Sequence, residues 1–363
     1  MEQAGTPKQD GFYFPAEFQP QQAVWLAWPE RPDNWRDGAK PAQRVFAEIA
    51  EVLSQVVAVT VVVTAAQYAQ ARAVLGEAIT VVEMAYNDAW MRDIGPTALL
   101  NDHGELRTVS WRFNAWGGHH SGLYSPWEQD DRVAVKVSKL LGVDHYQAPF
   151  VLEGGAIHSD GEGTLYVTEE CLLHENRNPH LTREALAQQL AEYLNIEKII
   201  WIPRGLYNDE TNGHVDNLLH VIAPGEVVLT WTDDPTDPQY EISRQAYAAL
   251  IAEPDARGQT VKVHKLPMPG PLYLSESEAA GIEASQGMKR QAGERLAASY
   301  CNFLMINRTV IFPLLDPRTD EAAKAVLQAA LPDWRIIGIP TREVLLGGGN
   351  IHCITQQIPV SRA

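Results

Sequence analysis

The chain has 363 residues, enough for two ordinary domains or one large one, and its 45% hydrophobic and 21% charged content is that of a water-soluble globular protein. Lys and Arg number 29 against 46 Asp and Glu, a formal net charge of −17 that argues against a nucleic-acid partner and suits a cationic ligand. Three widely spaced cysteines, Cys171, Cys301 and Cys353, make no disulfide framework, so a reducing, cytoplasmic setting is expected. The opening "MEQAGTPKQDGFYF" lacks the basic and then apolar pattern of a signal peptide. The apolar run "VVAVTVVVTAA" is too short for a membrane span and, being β-branched, reads as a buried strand.

The first amphipathic helix is predicted in "PAQRVFAEIAEVLSQV", where Val45, Ile49, Leu53 and Val56 form one stripe. The strand "VTVVVT" follows, then a short helical pattern, "AAQYAQARAVLG". The segment "DIGPTALLNDHGELRTVSW" reads as a hairpin turning at "NDHGE". The second helix, in "QDDRVAVKVSKLLG", aligns Val133, Val137 and Leu141 and stops at Gly142. It leads to the strand "VDHYQAPF" and the hairpin "GGAIHSDGEGTLYVTEECLL". A third helix, "LTREALAQQLAEYL", follows a Thr182 cap and precedes "KIIWIP" and the hairpin "GHVDNLLHVIAPGEVVLTWT". The fourth, "DPQYEISRQAYAALIAE", has Asp237 as cap and Pro238 at its first position, with "VKVHKLPMP" and "SYCNFLMINRTVIFPLL" after it. The fifth, "RTDEAAKAVLQAAL", is assigned Thr319 as cap and leads to "RIIGIP" and "GGGNIHCIT". That last hairpin lacks a second strand, which "AVWLAWP" near the N-terminus can supply. A fivefold helix–strand–hairpin period whose ends complete one unit predicts a closed ring within one domain, residues 1–363.

In such a ring, equivalent positions converge on the axis. Asp93, Glu153 and His214 each stand at the start of a hairpin, with spacings of 60 and 61 residues, and Cys353 holds the similar place in the last unit. A free cysteine is ordinarily a small buried hydrophobe, and Cys171 and Cys301 fit that description. Cys353 does not, because Asn350, His352, Thr355, Gln356 and Gln357 surround it with polar groups. Gly347, Gly348 and Gly349 before it permit close backbone approach to a ligand. Asp216 lies two residues after His214, on the same face if the segment is a strand. A thiol, an imidazole and a carboxylate on its face have the logic of nucleophile, base and orienting group. Glu153 follows an apolar run, so burying it requires a partner. A metal centre is the competing use of such residues. No CxxC or HExxH spacing supports one, and His352 and Cys353 should point to opposite faces of a strand. Neither a metal nor a cofactor is therefore expected.

The chain resembles the agmatine deiminases of the guanidine-modifying (pentein) superfamily. The motifs that carry the resemblance are "TPKQDGFYFPAEF", "WPERPDNWRDG", "NDAWMRDIGPT", "FNAWGG", "VLEGGAIHSDGEGTLYVTEECLL", "ETNGHVDN", "APGE" and "GGGNIHCITQQIP". It implies an α/β fold, a five-bladed α/β propeller of ββαβ modules around a central site. It also implies hydrolytic deimination of agmatine in putrescine synthesis, with Cys353 as nucleophile and His214 as general acid and base. Asp93 and Asp216 would hold the guanidinium, and Glu153 would support His214 and the substrate nitrogens. Trp90 and Trp116 would wall the methylene chain, Gly348 would line the site, and Glu210 is the candidate for the far ammonium, its alternative an exposed loop acid. A homodimer is the family expectation. Arg92 should point away from the substrate, and no other cation in these motifs faces it. The rivals are a deiminase of arginine or peptidyl-arginine, an amidinotransferase, and an inert propeller associated with the ribosome.

Overall fold

The computed structural model describes residues 1–284 and 290–362. Five small sheets repeat one plan: an antiparallel hairpin, a crossover helix, and a third strand parallel to the second. The plan is built from Thr97–Asn101, Leu106–Arg112 and His145–Val151, and from His158–Ser159, Thr164–Thr168 and Lys198–Ile202. It recurs in Leu219–Ala223, Glu226–Trp231 and Lys262–Pro267, and in Leu304–Ile306, Thr309–Leu314 and Arg335–Pro340. In the fifth sheet the hairpin joins the two ends of the chain. Thr355–Pro359 pairs antiparallel with Gln21–Ala27, which runs parallel to Ala58–Val63. The N-terminal segment thus supplies the strand missing from the last unit, as the sequence predicts.

Parallel neighbours need a crossover, and each unit has one. The five helices are Lys40–Ser54, Val133–Leu141, Arg183–Leu194, Gln239–Ala252 and Asp320–Ala330. Each buries an apolar stripe against its sheet. In the first, the fully buried positions are Phe46, Ile49 and Leu53; Val45 is half-buried and Val56 lies beyond the helix end. Thr182 caps its helix as expected, accepting from Ala185 N at 3.2 Å. Thr319 is the cap residue of the fifth helix as expected, but by position only: its hydroxyl hydrogen-bonds Tyr300 at 2.8 Å and makes no capping bond. Pro238, rather than Asp237, is the cap residue of the fourth helix, although Asp237 accepts from Gln239 N at 2.8 Å.

After the short helix Tyr68–Val74, the extra strand Thr80–Glu83 joins the fifth sheet beside Ala58–Val63, and Phe12–Tyr13 extends the edge at Thr97–Asn101. No helix among the described residues is long and apolar enough to cross a membrane.

Candidate active site

Each hairpin is entered through a tight turn, and these turns carry the predicted residues to one place. Asp93 lies in the one-turn helix Met91–Ile94, and Glu153 immediately precedes the turn Gly154–Ala156. His214 is the cap of the one-turn helix Val215–Leu218, with Asp216 in its first turn. The expected strand face for His214 and Asp216 is therefore wrong, because the strand begins only at Leu219. Cys353 likewise sits in the turn before Thr355–Pro359, not on a strand.

Gly155 is the hinge of this convergence. A Cβ there would stand 2.5 Å from His214 Nδ1 and 3.0 Å from both Asp216 Oδ2 and Asp93 Oδ1. Only glycine permits that approach. Its N–H donates to Asp93 Oδ1 at 2.8 Å.

His214 is fully buried among carboxylates. Its Nδ1 lies 3.8 Å from Asp93 Oδ2 and its Nε2 lies 3.4 Å from Glu153 Oε2. Neither nitrogen meets hydrogen-bond geometry, so both are ion-pair contacts. Burial disfavours the imidazolium, but the charge of Asp93 and the contacts to Cys171 and Glu153 outweigh it and hold the His214 pKa well above its ordinary range. Burial pushes the Asp93 carboxyl up to about 6, against the attraction of His214 and with repulsion from Asp216 and Glu153. Burial also opposes ionisation of Asp216, yet His352, His214 and Arg92 bring its pKa below the usual carboxylate value.

The Cys353 sulfur lies 3.7 Å from Asp216 Oδ2 and accepts from Asn302 Nδ2 at 3.1 Å; its backbone N–H donates to Asn302 Oδ1 at 3.2 Å. Burial, then Asp216 and Asp93, drive the thiol pKa well above its ordinary value, so the free protein holds a neutral thiol.

A narrow cavity opens on Cys353, lined by Asp93, Trp90, Trp116, Glu210 and Gly347 to Gly349. A Cβ on Gly349 would lie 2.7 Å from the Trp90 ring and 3.0 Å from the Cys353 sulfur. The glycine run thus lets backbone pass between an indole and the thiol. Trp90 stacks on Trp35 at 5.2 Å, and Asp88 accepts from both indole N–H groups, at 3.0 and 2.7 Å. Trp116 donates to Asp93 Oδ2 at 3.0 Å from a left-handed backbone, φ 59°. A larger open cavity of about 520 Å³ near His119, His120 and Trp127 shares Leu123 with this one and holds no thiol.

Four contributors were not foreseen. Arg177 is the partner that Glu153 requires, donating from Nε to Oε1 at 2.7 Å. Burial raises the Glu153 pKa, but Arg177 and then His214 reverse this and leave it lowered. Asn302 is the fourth unit's occupant of the periodic position, and an insertion after Pro267 hides it from the spacing. His352 and Glu17 form a buried chain behind Asp216. One expectation also needs correction. Cys171 is buried, but not among apolar groups alone: its sulfur, Glu153 and His214 bring ligand atoms within 4.8 Å of one another. A cation from outside the matched motifs stands near the cavity: Arg290 pairs bidentately with Glu210 at 3.0 and 3.1 Å and reaches Gly347 O. Arg92 points away from the cavity as expected, from a helical turn, donating to His352 O at 3.2 Å.

A family model described as Porphyromonas-type peptidyl-arginine deiminase matches residues 13–359. A curated protein of Vibrio parahaemolyticus, named putative agmatine deiminase, is 62% identical over 359 residues, covering 99% of this chain and all of that protein. The chain belongs to the agmatine deiminase family. A solved agmatine deiminase of Enterococcus faecalis matches with a TM-score of 0.96 at 49% identity, covering 99% of each chain. A putative arginine deiminase of Porphyromonas gingivalis matches with a TM-score of 0.83 at 30% identity, over 96% of this chain and 98% of that one. The ring of five ββαβ units is accordingly the α/β propeller of the family, the pentein fold.

Proposed function

We propose that this protein hydrolyses agmatine to N-carbamoylputrescine and ammonia through a covalent adduct on Cys353, in putrescine synthesis from arginine. The observation that carries this reading is an unfilled acceptor among ionised groups beside the sulfur: Asp216 Oδ1 is buried with no hydrogen-bond partner, and the Asp216 Oδ2 atom lies 3.7 Å from the Cys353 sulfur. A guanidinium, with five N–H donors and no acceptor, is the complement of such a site.

In this reading Asp93 and Asp216 hold the guanidinium, and its charge offsets theirs, so the Cys353 thiol loses its proton to solvent. The thiolate adds to the guanidinium carbon. His214 gives its proton to the departing nitrogen, ammonia leaves, and an S-alkylthiouronium remains. His214, now neutral, takes a proton from water and the hydroxide adds to the same carbon; the C–S bond breaks as the new O–H proton passes to the departing sulfur, restoring the thiol, and the ureido product departs. Glu153 keeps His214 oriented and charged. Trp90 and Trp116 wall the methylene chain. Glu210, beside Gly348, receives the far ammonium in exchange for part of its pairing with Arg290; a Cβ on Gly348 would lie 2.5 Å from Glu210 Oε2.

The reading includes residues 1–363 as one domain in a cytoplasmic homo-oligomer without nucleic-acid partners, the last supported by the net charge of −17. The test is ammonia and ureido-product formation from agmatine, arginine and peptidyl-arginine, by wild type and Cys353→Ser. Turnover of arginine without turnover of agmatine overturns the substrate assignment.

A further inference from the structure

Asp216 is the end of a buried chain of ionisable groups. Its Oδ2 lies 2.7 Å from His352 Nδ1, and His352 Nε2 lies 2.7 Å from Glu17 Oε2. The other Glu17 oxygen accepts from Met305 N at 2.7 Å and lies 3.2 Å from His220 Nε2. Arg92 Nη2 is 3.7 Å from Glu17. The His158 ring stacks on His352 at 5.5 Å and meets His220 at 4.3 Å. All of these side chains are buried.

An ionised carboxylate only accepts. A ring with carboxylate oxygens at 2.7 Å from both nitrogens therefore carries a proton on each. Burial and the Arg92 charge oppose that state, but Glu17 and Asp216 outweigh them and the His352 pKa is raised. His158 and His220 go the other way: burial lowers both, in His158 with the help of the His220 charge, in His220 against the pull of Glu17. The ligand atoms of Glu17, His158, His220 and His352 lie within 4.8 Å of one another, as a metal site would require. Both Glu17 oxygens are already engaged, however, and Arg92 supplies a buried positive charge that disfavours a second cation, so the added charge the cluster carries is the proton on His352.

We propose that His352 is a positioning residue for the reaction: its imidazolium, clamped between Glu17 and Asp216, keeps Asp216 ionised and turned so that Oδ1 faces the guanidinium. Without it, Asp216 would keep only His214 and Arg92 to offset burial and the repulsion it shares with Asp93, and would take up a proton more readily. The kinetic consequence rests on the agmatine reading; the protonation state does not.

The test has two arms. Histidine ¹⁵N NMR on the wild-type protein, with His352 assigned through its backbone amide, reports the ring directly. It is expected to show both nitrogens protonated from about pH 6 to about pH 8.5, well above the ordinary imidazole range. A singly protonated His352 ring across that range overturns the proposal, whatever the substrate is. Kinetics of His352→Gln and Glu17→Gln on agmatine form the second arm. KM is expected to rise about tenfold or more, increasingly as pH falls, with a smaller change in kcat, because Asp216 now takes up a proton. Folded variants whose KM keeps the wild-type pH profile contradict it, since a structural role alone would lower melting temperature without moving that profile. If neither variant folds, the wild-type spectrum decides.

Discussion

Arg177 holds Glu153 by one oxygen, Nε to Oε1 at 2.7 Å, and leaves the other oxygen 3.4 Å from His214 Nε2. The same guanidinium donates to Trp116 O at 2.7 Å and Thr211 O at 2.8 Å, tying the indole wall and the His214 loop to one cation. Removing it strands a buried charge. Arg177→Met is expected to destabilise the fold by about 3–5 kcal/mol in urea melts at neutral pH. Because the Glu153 pKa is lowered in the folded chain, its pairing contributes stability above the unfolded carboxyl value, roughly 4.3, and is lost as pH falls through the lowered one. In Arg177→Met the stranded carboxyl is pushed upward by burial and takes up a proton more readily, so the stability deficit relative to wild type should shrink as pH falls. The double variant Arg177→Met, Glu153→Gln should recover most of the stability; no recovery would mean that the pair does not act through charge.

A methyl group on Gly349 would lie 2.7 Å from the Trp90 ring and 3.0 Å from the Cys353 sulfur. Gly349→Ala is expected to cost about 1–3 kcal/mol of stability by overpacking. The displaced thiol or indole should also lower kcat/KM for agmatine by about 10²-fold or more. Steady-state kinetics beside a thermal melt checks both. A variant with wild-type activity would show that the backbone here gives way easily.

Asn302 touches Cys353 twice, through the sulfur and through the backbone N–H. Asn302→Asp replaces the donor to sulfur with a carboxylate and should lower kcat by about 10²-fold, whereas Asn302→Ala, adding no charge, should lower it less. Equal losses in the two variants would mean that the donation to sulfur, which both lack, is the cause and that the added charge is not.

Much of this site could be read in the sequence because the fold is periodic. Asp93, Glu153, His214 and Cys353 are far apart in the chain yet hold one position in four units, and a ring makes equivalent positions converge. The limits have physical causes. Asn302 has the same position, but the insertion before it breaks the spacing. Arg177 lies in "HENRNP" with no periodic signal, and its role depends on a carboxylate from another segment. Helical periodicity located all five crossover helices, but one-turn helices are too short to show a period, which is why His214 and Asp216 were placed on a strand. Adjacent residues on a strand should diverge; in the actual turn, His352 and Cys353 both approach the same Asp216 oxygen, at 2.7 and 3.7 Å.

The thiol pKa is raised by burial, then by Asp216 and Asp93. Alkylation of Cys353 by iodoacetamide in the free protein is therefore expected to be slow at neutral pH and to keep rising with pH beyond the ordinary thiol value of about 8.5. A cationic guanidinium analogue too small to block the sulfur should speed the reaction. Fast inactivation of the free protein with an apparent pKa well below neutral would show a preformed thiolate.

The central claim is that the Cys353 sulfur bonds to the guanidinium carbon. Rapid acid quench of the protein with agmatine, followed by peptide mass spectrometry, tests it most directly. The account predicts a mass gain equal to agmatine less ammonia on the peptide carrying Cys353, absent in Cys353→Ser. Full turnover of agmatine by Cys353→Ser, or the adduct on Cys171 instead, would contradict it.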